Sequence, residues 1–220
     1  MKKASPQTGR VKVTSLHGFI YENAARCPVG RRLITNQYVS NSTQTAVVRM
    51  PLSIAIDITS QKYYNEPNSS ASCYKRFLKE NIWMIVVTGM GSLITEAVKL
   101  PFTHKDIKSD YEGYCTLEQI IYHVMRCGLI HGTGEESKIV WNTNVPLAID
   151  KDQNLNISPS FIWGLALCVI TCPVNLNERV GDYCWISMAT FKYLINDLWG
   201  KRDSVKNMIK SQYDVTIKEC

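Results

Sequence analysis

Two long uncharged stretches constrain this chain more than any other feature. Residues 155–177 carry no charged side chain, and within them residues 161–174, FIWGLALCVITCPV, are almost wholly apolar. Residues 81–95 form a second uncharged run, interrupted by Gly89 and Gly91. The apolar part of the first run is 14 residues, short of the roughly 20 that a bilayer span needs. Both therefore predict buried core helices. The amino terminus, MKKASPQTGRVKV, has lysines but no apolar segment behind them, so no secretory signal is expected. The reading is a soluble, cytoplasmic protein without a membrane partner. At 220 residues the chain can bury one substantial core.

Cysteine usage agrees with a reducing compartment. The eight thiols, Cys27, Cys73, Cys115, Cys127, Cys168, Cys172, Cys184 and Cys220, include no C-x-x-C pair. Cys168 and Cys172 share a helical face but lack a second ligand pair, so no zinc site is expected. The net charge of +6 is compatible with an anionic partner without specifying one.

Residues 1–44 are polar and read as a loosely structured extension, with short elements at most around 20–25 and 33–39. A domain follows over 45–220. Ala46, Val47, Met50, Ile54 and Ile58 recur at helical steps, with a kink or restart expected at Pro51. After the EPNSSAS break, Ser70 or Ser72 can cap a helix whose apolar stripe is Tyr74, Phe77 and Leu78. Residues 92–100 predict another helix ending at Pro101, and 102–115 a loop containing His104. Thr116-Leu-Glu-Gln119 is a capping-box sequence, opening a helix that buries Leu117, Ile120, Ile121, Val124 and Met125 and closes before Gly132 and Gly134. Residues 138–141 and 145–149 predict two strands around the turn-like NTN, the second on an edge because of Pro146, with a third extended piece over 154–157. A long apolar helix begins near Pro159. A last helix is expected over 182–199, with Trp185, Met188, Ala189, Leu194 and Leu198 inward, followed by a charged segment over 201–210. The fold class is mainly α, a bundle of five or six helices with a small β-hairpin.

Most enzyme signatures are missing. No phosphate loop, nucleophile elbow or H-E-x-x-H occurs, and the glycines of VTGMGS at 87–92 lack the strand and G-K-[ST] of a phosphate cradle. Asp57 with Glu66, and Glu135 with Glu136, read as solvated charges. The one sharp feature is Arg126-Cys-Gly-Leu-Ile-His131, between the capped helix and Gly132. Five residues of regular helix turn about 500°, leaving the two side chains roughly 140° apart. They converge if the helix ends or unwinds near His131, or if a second subunit supplies the partner. An arginine can hold a phosphate bidentately while a histidine moves a proton, which suits attack of a 2′-hydroxyl on its neighbouring phosphodiester without a metal or other cofactor.

RCGLIH resembles the R-x-x-x-x-H motif of the HEPN domains, and its setting, YHVMRCGLIHGTGEES, is similar to their motif region. The order of elements over 45–200 resembles a plasmid-encoded HEPN subfamily. The resemblance implies a HEPN-like helical bundle and a metal-independent RNA endonuclease of toxin–antitoxin or phage-defence systems, acting as a homodimer with Arg126 and His131 as catalytic residues. It also implies an antitoxin or defence-system partner. The position after the arginine, commonly asparagine in that family, is Cys127, a weaker hydrogen-bonding group. His123, two helical turns before His131, is a supporting residue or a structural one.

Two other readings stay open. One is a non-catalytic HEPN-like module that binds nucleotide, RNA or protein. The other is an unrelated helical protein in which Arg126 pairs with a carboxylate such as Glu118 or Asp110, and His131 satisfies helix-end carbonyls. Lys75 and Arg76 beside Tyr74 and Phe77, Lys201 and Arg202 with Lys206 and Lys210, and Arg26, Arg31 and Arg32 are the basic clusters able to meet phosphates. His17 and His104 have no supporting context in sequence.

Overall fold

In a computed structural model the described residues are 41–68, 70–91, 97–110, 112–127, 138–141, 145–188 and 191–213. Helix α1 (Asn41–Tyr64) begins inside the expected extension and runs through Pro51 without the expected restart. Its inner face includes Leu52, Ser53, Ile56, Asp57, Thr59 and Ser60, all buried. Helix α2 (Ala71–Glu80) starts where the sequence places it, with the Ser70 hydroxyl accepting the Cys73 N–H at 3.1 Å.

Asn81 ends α2 and begins α3 (Ile82–Met90). Its side-chain Nδ2 donates to the Phe77 carbonyl at 2.7 Å, and its own carbonyl accepts the Met84 N–H at 3.0 Å. From Ile82 to Gly89 every residue of α3 is buried. Such a helix, apolar on all sides, must be enclosed by others. Its main partner is α5 (Ser160–Thr171), the long apolar helix expected after Pro159, buried throughout except at Ser160 and Trp163. The two approach closely at Gly164, where an added Cβ would lie 2.7 Å from the Ile85 Cα. Gly91, at φ +67°, closes α3 and donates its N–H to the Val87 carbonyl at 2.9 Å. The glycines of residues 87–92 thus serve packing and helix termination.

Strands replace part of the helix expected over 92–100. β1 (Lys99–Pro101) pairs antiparallel with β2 (Tyr114–Thr116). The Leu117 N–H reaches back to the Val98 carbonyl at 2.8 Å, so α4 (Leu117–Ile121) grows directly from this ladder. Gln119 Oε1 accepts the Thr116 N–H at 3.0 Å, the returning half of the capping box. All five apolar residues expected inside this helix are buried.

The hairpin expectation is half right. β3 (Ile139–Trp141) and β4 (Leu147–Ile149) do not pair with each other; both flank β5 (Leu155–Ile157), β3 parallel to it and β4 antiparallel. The expected third piece is the central strand, and the hairpin turn is at Asp150, whose carboxylate accepts the Asp152 and Asn154 N–H groups at 3.0 and 2.9 Å. β4 is an edge, as Pro146 before it requires.

The helix expected over 182–199 is instead a second hairpin, β6 (Trp185–Met188) against β7 (Phe191–Leu194), followed by one 3₁₀ turn, Ile195–Asp197. Leu194, expected inward, is 45% exposed, while Ile186 and Leu198 are buried. Asn196 closes the base of this hairpin, accepting the Val180 N–H at 3.0 Å and donating to the Val180 carbonyl at 2.9 Å. The charged segment beyond it is helix α6 (Arg202–Tyr213). The fold is mainly helical with minor β content, six α-helices and three small sheets among the described residues. Among those residues no helix is long and apolar enough to cross a membrane.

Candidate functional site

The motif region departs from a regular helix before its arginine is reached. After Ile121, α4 widens into a π-helical turn, Tyr122–Cys127. Its i→i+5 bonding puts more residues into each turn than an α-helix has, so residues five apart stack on one face. Tyr122 and Cys127 are such a pair. Burial and the neighbouring Cys127 thiol push the Tyr122 hydroxyl above its ordinary value. Arg126 and His131 are also five apart, but His131, with Gly132 and Gly134, lies outside the described residues.

Arg126 is anchored from α1. Its Nη2 donates to Asp57 Oδ2 at 3.1 Å, with the side chains 20% and 12% exposed. This corrects two expectations: Asp57 is a buried partner and not a solvated charge, and neither Glu118 nor Asp110 holds Arg126. Asp110 instead takes Lys99 at 2.8 Å. Burial works against the Arg126 charge, and the hydrogen bond and charge of Asp57 outweigh it, holding the guanidinium above its ordinary value. The Arg126 Nε is buried and makes no hydrogen bond among the described residues.

The Tyr122 ring gathers two cations, the Arg126 guanidinium at 5.7 Å and the Lys75 ammonium at 5.6 Å. Lys75 is thus the member of its basic cluster that reaches the motif. Its neighbours Tyr74 and Phe77 are fully buried and offer no stacking surface for a base. Arg76 turns the other way, to Glu80 at 3.0 Å and over the Tyr64 ring at 4.3 Å. Arg202 is likewise turned inward, donating to the Tyr63 hydroxyl at 3.3 Å, so the cluster of Lys201, Arg202, Lys206 and Lys210 loses its arginine as a phosphate contact. Arg26, Arg31, Arg32, His17, Glu135 and Glu136 lie outside the described residues.

His123, on the π turn, sets its ring edge-on to Tyr122 at 5.0 Å and also meets the loop after β1. Its ring centroid is 5.5 Å from that of His104. His104, without context in sequence, is buried and stacked 6.1 Å from Phe102. Its Nδ1 accepts the Asp106 N–H at 3.1 Å. One ligand atom from each of His104, Asp106 and His123 lies within 4.8 Å of the others. Burial, then the charges of His104 and Lys75, hold the His123 imidazole below its ordinary value. His123 stands 19 residues after His104 and 17 after Asp106, so no short ligand spacing in the sequence signals the cluster.

Of the described cysteines, Cys73, Cys115, Cys168, Cys172 and Cys184 are buried and Cys127 is half-buried. Cys168 donates to the Gly164 carbonyl at 3.1 Å. Burial raises the Cys168 and Cys172 thiols above the ordinary value. The two serve helix packing.

Fold and site together define a mainly helical protein whose motif turn is π-helical and carries an arginine locked to a carboxylate of another helix. The chain belongs to the Rv1289 family, whose model matches residues 39–219. No curated protein and no solved structure matches it.

Proposed function

We propose that the chain is a HEPN-type, metal-independent RNA endonuclease, acting in the cytoplasm as a homodimer within a toxin–antitoxin or phage-defence system. The observation that supports the reading is the Arg126 guanidinium and the Lys75 ammonium gathered over one Tyr122 ring, two cations able to meet one phosphate. His131 lies outside the described residues, and its convergence with Arg126 is part of the proposal. Arg126 holds the scissile phosphate with guanidinium donors that Asp57 leaves over, and Lys75 adds a second positive charge beside it. The 2′-hydroxyl gives its proton to solvent water as it attacks phosphorus, the 5′-oxygen leaves with a proton supplied by the His131 imidazolium, and the products are a 2′,3′-cyclic phosphate and a 5′-hydroxyl end.

The pairing of Arg126 with Asp57 favours a second reading, a non-catalytic HEPN-like module that binds RNA, nucleotide or protein. An arginine already neutralised by a carboxylate contributes less to phosphorane stabilisation and more to holding the turn. One assay separates the two. Mixed cellular RNA is incubated with the protein in EDTA, beside Arg126→Ala and His131→Ala. Cyclic-phosphate ends produced by the parent and lost in both variants support the nuclease. Cleavage unchanged in the variants refutes it, and RNA retention without cleavage by folded parent protein supports the binding module.

A further inference from the structure

We propose that His104, Asp106 and His123 form a binding site for a divalent first-row transition metal ion, with Zn²⁺ the ion this donor set suits. Two imidazole nitrogens and one carboxylate oxygen lie within 4.8 Å of one another. A pair of histidines with one carboxylate is a recurrent three-ligand set for zinc, which keeps its fourth position for water. Imidazole donors disfavour Mg²⁺ and Ca²⁺, which take oxygen ligands.

The three residues come from two elements whose placement is independently fixed. His104 and Asp106 sit on the turn that follows β1, and His123 is the second residue of the π turn. His104 is the rigid member, buried at 8% exposure and stacked on Phe102. Asp106 is exposed and His123 half-buried, so these two have room to close onto an ion at bond lengths of about 2.0–2.2 Å. Coordination gives up the hydrogen bond between the Asp106 N–H and His104 Nδ1. A metal on His104 Nδ1 replaces the Asp106 N–H, and a metal on Nε2 puts the ring proton on Nδ1, where that N–H points. Opposing charges come from Lys105, between the two loop ligands in sequence, and from Lys75, whose ammonium lies over the Tyr122 ring.

Such an ion ties the loop after β1 to the π turn three residues before Arg126. It takes no part in the phosphate chemistry proposed for Arg126 and His131, and comparing zinc-loaded with EDTA-stripped protein in the RNA assay keeps the two proposals distinguishable. The test uses the full chain after EDTA treatment and gel filtration, titrated with ZnCl₂ by calorimetry and with CoCl₂ by absorption. One ion per chain is expected, with visible cobalt bands and no thiolate-to-cobalt charge transfer in the near ultraviolet. Asp106→Ala and His123→Ala, both at solvent-reached positions and checked for folding by circular dichroism, are each expected to weaken binding by at least about tenfold. No uptake, uptake that either variant leaves unchanged, or a thiolate charge-transfer band overturns the proposal.

Discussion

The Arg126 guanidinium donates to the Asp57 carboxylate at 3.1 Å, joining the motif turn to α1 across 69 residues of sequence. Each partner stands on a different helix, so the pair fixes how the π turn sits against α1. Asp57→Ala and Arg126→Ala are each expected to cost about 1–3 kcal/mol, because each strands a largely buried charge. The double variant should lose less than the sum. Urea denaturation of the four proteins measures the coupling, and additive losses would show that the pair contributes nothing.

Close approach of α3 and α5 depends on Gly164. Because a Cβ there meets the Ile85 backbone at 2.7 Å, neither helix can yield without moving the other. Gly164→Ala should therefore destabilise the protein by about 1–3 kcal/mol or more. Gly89→Ala meets the fully buried Phe161 ring, which would have to shift within the core, and should likewise destabilise by about 1–3 kcal/mol. Melting temperatures of the two variants test both losses.

Acid stability follows from two aspartates. Asp150 is held below the ordinary aspartate value, first by the Asn154 backbone N–H and then by the Asn154 and Asn156 amides. Asp110 is held down by Lys99 and the Tyr114 N–H. A depressed folded pKa means that the stabilisation is complete above the unfolded value, about 3.9, and disappears as pH falls through the folded one. Carboxyl NMR titration should place both midpoints below those of exposed aspartates, and Asp150→Asn should flatten the acid limb of the stability curve below about pH 4.

Asn175 ties α5 to α1, its buried Nδ2 donating to the Val169 carbonyl at 2.8 Å and to Thr59 Oγ1 at 3.1 Å. Asn175→Ala leaves both acceptors buried, and a loss of about 1–3 kcal/mol is expected by urea denaturation. A loss under half a kilocalorie (about 0.5 kcal/mol) would mean that water replaces the amide.

Thiol labelling should follow burial. Among the described cysteines Cys127 alone is not buried, so iodoacetamide under native conditions should modify it ahead of Cys73, Cys115, Cys168, Cys172 and Cys184. Peptide mass spectrometry reads the order, and early labelling of Cys168 would contradict the packing of α5.

What the sequence by itself determined is what is decided within about one helical turn. The Ser70 cap, the Gln119 return to Thr116 and the start of α5 after Pro159 are settled by neighbours along the chain, and all three stand where local signals put them. The all-apolar runs of α3 and α5 could be satisfied only by burial, so their place in the core followed as well. Tertiary structure decided the rest, because the partner was distant. The segment over 182–199 has apolar residues that fit helical spacing, yet each strand of the hairpin finds its hydrogen bonds in the other, and Asn196 holds the base to Val180. β5 took both β3 and β4 as neighbours, a choice of pairing that alternation alone does not make. The same holds at the site. A capping box announces a helix but not that it widens into a π turn, and neither Asp57 beneath Arg126 nor His104 beside His123 is foreshadowed by spacing, since charge pairing and ring contacts act through space between elements that folding alone brings together.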